Sequence, residues 1–202
     1  MPGRQVLSED EARSLNVDPG YFKDCADVVL LTSRGGSAYD RTFLEAFVRP
    51  GLGLENWVSR NNYPALNTVQ TGPEELSFYT LANYGQPTVH LRRYSMPLDR
   101  FASIHAPHSG GECLTKPLRF QGTRLLLNFA TSAPGGVRVE VRDEAGTPIP
   151  GHGLDDCVEL IGDQIERAVR WRGGATLGPI AGRTVCLRIA MRDADVFALK
   201  FA

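Results

Sequence analysis

Two stretches of strict alternation constrain this chain more than any other feature. In VRVEVRD, Val137, Val139 and Val141 fall on one side of an extended backbone, and Arg138, Glu140 and Arg142 on the other. In VCLRIAMRD, Val185, Leu187, Ile189 and Met191 repeat the pattern, with Cys186 at an alternating position. Successive side chains of a strand point to opposite faces, so a period of two with one apolar and one polar face marks a half-buried antiparallel strand. Other runs follow the same rule. ELSFYTLANYG (75–85) and TVHLRRYSM (88–96) are joined by a Gly-Gln-Pro turn, RFASIHAP (100–107) follows, and VFALKF (196–201) places Phe197, Leu199 and Phe201 on one side. Strand candidates recur about every ten residues with Gly, Pro, Asp and Asn between them, which predicts an all-β chain of meanders rather than βαβ units.

Residues 1–27 are the exception. Ser8 with Glu11 three positions later fits a capping box and predicts a short N-terminal helix ending near Leu15, before Pro19-Gly20. Residues 28–51, VVLLTSRGGSAYDRTFLEAFVRPG, read as a β-hairpin. The apolar runs Val28–Leu31 and Phe43–Val48 flank a polar, Gly-rich loop, and Pro50-Gly51 stops the second strand. The short polar stretch APHSGGE predicts a boundary near 107–112, dividing residues 28–107 from 112–202. The second part holds roughly eight strand candidates, the size of a β-sandwich.

Charge and composition exclude several classes of function. The net charge is −1, which argues against nucleic acid or an anionic membrane as partner. No apolar run approaches the ~18 residues that span a bilayer. MPGRQVLSED lacks the apolar stretch of a secretory signal, so the cytoplasm is the default expectation. Cys25, Cys113, Cys157 and Cys186 are widely spaced with no C-x-x-C pair, and read as plain thiols rather than zinc or redox ligands.

A series of phrases then carries a resemblance. They are EAFVRPG (45–51), NWVSRNNYPAL (56–66), ELSFYT (75–80), LRRYSMPLDRFASIHA (91–106), TKPLRFQG (115–122) and LNFATSAPGGVRVEV (127–141). GTPIPGHGLDDCVELIGD (146–163), VRWRG (169–173), IAGRTVCLRI (180–189) and DADVFALKF (193–201) continue them. In this order they resemble the C-terminal part of a bacterial family of five-bladed β-propeller glycoside hydrolase-like proteins, whose fold is similar to glycoside hydrolase families 32 and 43. The resemblance runs over 28–202 and covers only the tail of that family's usual length. It implies that residues 28–106 are a partial β-propeller of about one and a half blades, truncated at its N-terminus, and that 112–202 are an appended antiparallel β-sandwich. It also implies that the acidic residues of related propeller hydrolases belong to blades before residue 1.

Few residues of this chain offer replacements. Glu45 matches an acidic position of the family motif on an expected strand, and is a weak catalytic candidate; the alternative is a surface pair with Arg49 or Arg41. Arg60, Asn61, Asn62 and Tyr63 form a polar segment flanked by aromatics. Such a segment can hydrogen-bond sugar hydroxyls while Trp57 or Tyr63 stacks on a sugar face. The structural alternative is an Asn-Asn turn whose Tyr and Trp fill a blade interface. His105, His108 and Ser109 lie in what reads as an exposed linker; adjacent side chains on an extended chain point apart, so Ser109 and His108 are no ready dyad. Asp155, Asp156, Glu159 and Asp163 cluster in GLDDCVELIGD, as in loops that hold a structural Ca²⁺; Asp155 capping a helical turn is the alternative.

Two principal function classes follow. The first is a carbohydrate-directed binding or accessory module without glycosidase activity of its own. The second is a hydrolase acting on a glycoside, ester or lactone from the remnant site. A third alternative is a gene fragment without selected function. Unclosed blades leave open edges and apolar faces, with Phe78, Tyr79 and Leu81 expected to face water, which predicts a homo-oligomer through residues 1–106; the alternative is that the N-terminal segment Ser8–Leu15 folds back and covers the edge within one chain.

Overall fold

The structure, a computed structural model, describes residues 4–202. It is mostly β, with a few antiparallel sheets and one short helix. The chain divides into two compact units, residues 1–96 and 97–202.

The first unit opens with helix α1, Glu9–Ser14. Its capping box forms as the sequence requires: Glu11 N–H donates to Ser8 Oγ at 3.3 Å, and Ser8 N–H donates to the Glu11 carboxylate at 2.8 Å. The Ser8 N–H, and the Ser8 hydroxyl that donates to the same carboxylate at 2.9 Å, hold the Glu11 carboxyl below its ordinary value. The segment beyond the helix is stitched into the unit by its backbone. Asp18 N–H donates to Gly85 O at 2.8 Å and Ser59 N–H to Tyr21 O at 2.7 Å. Leu7, Ala12, Val17 and Phe22 bury themselves against Val58, with Leu15, Tyr21 and Trp57 around them.

The hairpin is present but short. Strands β1, Val28–Val29, and β2, Ala46–Val48, pair antiparallel with Val28 opposite Val48, and a bridge joins Thr32 to Asp40 farther out. A four-stranded antiparallel sheet follows: β3, Tyr63–Pro64, β4, Val69–Gly72, β5, Glu75–Ala82, and β6, His90–Pro97. β5 is its centre and pairs with each of the other three. Phe78, Tyr79 and Leu81 are half-buried rather than open to water. Phe78 lies between Phe47, 5.6 Å away, and Tyr94, stacked at 5.2 Å. The hairpin thus supplies the ring that covers the sheet.

The second unit is built on two 18-residue strands, β10, Leu125–Arg142, and β12, Thr184–Phe201, paired antiparallel over nearly their whole length. β7, Ile104–Ala106, β8, Gly111–Leu114, and β9, Leu118–Arg119, pair with β12, and β11, Asp163–Ala168, pairs with β10. The β10 ladder breaks between Thr131 and Gly136. Glycine is required there, because a Cβ on Gly135 would lie 2.4 Å from Asp193 O. Val137, Val139, Val141, Leu187 and Ile189 are buried as the alternation requires, in a core with Phe129, Leu127, Trp171 and Val185.

Two features differ from the sequence reading. The stretch around His105 is not a linker. Ile104–Ala106 pairs with Ala194–Val196, and Ala106 is buried in the core of the second unit, whereas the units divide at Met96/Pro97. And the polar face of β10 is not uniformly wet: Arg138 is exposed, but Glu140 is buried.

Candidate functional site

The 56–63 segment is held by two left-handed residues, Arg60 at φ 58° and Asn62 at φ 60°. Asparagine tolerates this conformation, and an Asn-Asn pair is a sequence signal for it. The turn points its two asparagines inward. Asn61 Nδ2 donates to Asn56 O at 2.6 Å, and Asn61 Oδ1 accepts from Asn83 N–H at 2.7 Å. Asn62 N–H donates to Leu81 O at 2.8 Å. Gln86 Nε2 donates to Glu55 O at 2.7 Å, and Asn56 donates to Leu52 O. Asn56, Asn61, Asn62, Thr80, Asn83 and Gln86 are thus all buried, in a polar layer that ties the turn to β5. The Oδ1 atoms of Asn62 and Asn83 and Oγ1 of Thr80 have no protein partner.

Asn61 is therefore a structural residue, not a sugar contact. Trp57 is half-buried against the N-terminal segment, with its indole N–H donating to Gly51 O at 3.0 Å. The two remaining candidates face solvent. Arg60 is exposed and Tyr63 is 66% exposed. The Arg60 guanidinium sits 5.2 Å from the ring centre of Tyr21 and 5.5 Å from that of Tyr84, and donates from Nη1 to Tyr84 Oη at 3.2 Å. Tyr21 and Tyr84 meet edge to face at 5.0 Å. The hydrogen bond from Arg60 holds the Tyr84 phenol below its ordinary value. The bond to Tyr84 in turn raises the Arg60 guanidinium above its ordinary value. The arrangement is a cation seated on two aromatic faces beside an exposed third ring. Tyr21 and Tyr84 are not in the sequence-derived set: they come from either side of the turn and meet only once the N-terminal segment folds back.

The other candidates are scattered. Glu45 is exposed and lies one residue before β2, not on a strand, and it makes no ion pair with Arg41 or Arg49. The acidic residues of 155–163 are not assembled as a calcium loop. Asp155 is exposed, Asp156 Oδ2 accepts from Gly153 N–H at 3.1 Å, Glu159 lies 3.6 Å from Arg138, and Asp163 pairs with Arg100 at 2.6 Å. Among the described residues no three His, Cys, Asp or Glu side chains are placed to hold a metal ion. His105 Nδ1 lies 3.2 Å from Asp195 Oδ1, which also accepts from Ser103 Oγ at 2.7 Å, while His108 and Ser109 are exposed. The four cysteines are free thiols, and burial pushes Cys157 up most plainly among the causes acting on it.

No family model, curated protein or solved structure matches this chain.

Proposed function

We propose that the chain is a carbohydrate-directed binding or accessory module. In this reading it is related to the C-terminal part of five-bladed propeller glycoside hydrolase-like proteins. The first unit corresponds to partial propeller blades and the second to an antiparallel β-sandwich. The observation that supports it is the exposed Tyr63 ring beside Arg60, whose guanidinium is held on Tyr21 and Tyr84. An aromatic face next to fixed N–H donors suits a sugar ring, which presents C–H groups on one side and hydroxyls around its edge. Hydrolysis needs two carboxylates about the scissile bond, and Glu45 is the single catalytic candidate that the resemblance supplies.

A glycan array probed with the full chain tests the reading. Binding that Tyr63→Ala and Arg60→Ala each abolish supports it, and no retained glycan refutes it. Turnover of aryl glycosides that is lost in Glu45→Gln would instead establish the hydrolase.

The same reading includes a homo-oligomer formed through the first unit. Leu44, Leu52, Leu66 and Leu91 are exposed there, Leu52 at 94% and Leu66 at 91%. Among the described residues β6 pairs with β5 alone, which leaves its other edge open.

A further inference from the structure

A cleft in the second unit lies outside every site considered above. It has a volume of about 310 Å³ and is lined by the segments 123–124, 168–171 and 174–176. Its walls come from three segments held together by backbone bonds. Val169 N–H donates to Leu125 O at 2.9 Å, and Leu177 N–H donates to Thr123 O at 3.2 Å. The loop between carries Gly173 and Gly174 at φ 79° and 75°, a turn that other residues rarely make. Val169 and Trp171 are buried beneath it, and the indole N–H is used internally, donating to Val139 O at 3.0 Å.

Two like charges line this cleft. Leu126 pairs with Ala168 and Val169 N–H donates to Leu125 O, so Arg124 and Arg170 are the next residues beyond the last bonded pair, and both line the cleft. Both arginines are exposed, and among the described residues neither side chain has a hydrogen-bond or ion-pair partner. No acidic residue lines the cleft. On the same face of β11 the alternation brings Glu166, and its carboxylate is already taken by Lys200. A chain with a net charge of −1 and 23 acidic residues leaves this pair uncompensated.

We propose that this cleft is a binding site for an oxyanion, clamped between the Arg124 and Arg170 guanidinium groups. Each guanidinium offers a planar fork that matches a carboxylate, sulfate or phosphate, and an anion between the two converts their repulsion into attraction. Thr123 and Thr176 contribute hydroxyl donors at the rim, and Ala168, Val169 and Ala175 an apolar floor. The volume is that of a small-molecule site rather than of a lone ion, which favours an oxyanion carried on a larger body, such as an acidic saccharide. The proposal stands apart from the reading of Tyr63 and Arg60 in the first unit.

The test uses the full chain and two probes, inorganic phosphate and an oligogalacturonate, with chloride at matched ionic strength as reference. Phosphate should raise the melting temperature of the second unit above its value in chloride, and titration should show saturable binding. Arg124→Gln and Arg170→Gln should each weaken binding by about tenfold or more. Arg167→Gln removes the same charge from the opposite side of β11 and should leave it unchanged. Arg170→Glu supplies a readout independent of ligand: it puts a carboxylate in the cleft that Arg124 lines, so it should raise the melting temperature in chloride while abolishing the response to phosphate. Tighter binding of oligogalacturonate than of phosphate identifies a saccharide-borne anion, and binding of phosphate alone identifies the free anion; both support the clamp. Binding of neither probe, equal loss in Arg167→Gln, or a lower melting temperature for Arg170→Glu overturns it.

Discussion

Replacing Glu140 by glutamine should cost the second unit stability in a manner that depends on pH. The carboxylate side chain is only 7% exposed. It accepts from Arg142 Nε at 2.6 Å and from Leu154 N–H at 3.3 Å, with Arg188 Nη1 3.6 Å away. Burial on its own raises the carboxyl. The Arg142 bond, the Leu154 N–H and the charges of Arg142 and Arg188 outweigh it, so the carboxyl ends below its ordinary value of 4.5. Removing one partner of a fully buried ion pair costs about 3–5 kcal/mol. Arg142 and Arg188 keep 24% and 30% of their side-chain exposure, and glutamine still accepts from Leu154, so about 2 kcal/mol is expected at neutral pH. Because the folded value is depressed, this contribution is fully present above the unfolded value and is lost as pH falls through the folded one. The stability gap between wild type and Glu140→Gln should therefore be flat from about pH 8 to pH 5 and close at lower pH. Urea unfolding followed by Trp171 fluorescence in a Trp57→Phe background measures it, since Trp171 bonds to the carbonyl of Val139 next to Glu140. A gap that stays constant down to about pH 3, or a glutamine variant as stable as wild type, refutes the reasoning.

Other expectations follow from the packing. Val139→Ala, at a fully buried core position, should cost about 2–4 kcal/mol by urea denaturation of the second unit. Gly85→Ala should release the N-terminal segment. Its φ of 72° disfavours a side chain and the new Cβ would lie 2.9 Å from the Tyr21 ring, so limited proteolysis should cut faster within residues 15–27. A fragment of residues 97–202 should fold by circular dichroism with a higher melting temperature than one of residues 112–202, which lacks β7 and the buried Ala106. Light scattering after size exclusion should give a multiple of the 22.1 kDa chain mass, reduced by Leu91→Glu beside the open edge of β6; a single-chain mass at micromolar concentration rules out the oligomer.

Local chemistry carried much of this protein in plain view. A period of two is a property of the extended backbone itself, so the buried faces of β10 and β12 could be read at Val137, Val139, Val141, Leu187 and Ile189 without any knowledge of partners. The Ser8/Glu11 cap and the 28–48 hairpin were legible for the same reason, since each is specified within a few residues. What tertiary structure alone decided is pairing and burial on the polar side. Whether Glu140 meets water depends on Leu154, Arg142 and Arg188, of which Leu154 and Arg188 are distant in sequence. The asparagines at 61 and 62 suit a solvent turn as well as a buried one until β5 supplies Leu81 O and Asn83 N–H. The four acidic residues of 155–163 share a stretch of sequence but are drawn to different partners, so proximity along the chain did not become a metal site. Tyr21 and Tyr84 reach Arg60 only through contacts distant in sequence. The alternation at 104–106 could mark a strand, but no local rule states that the strand it joins is 90 residues away.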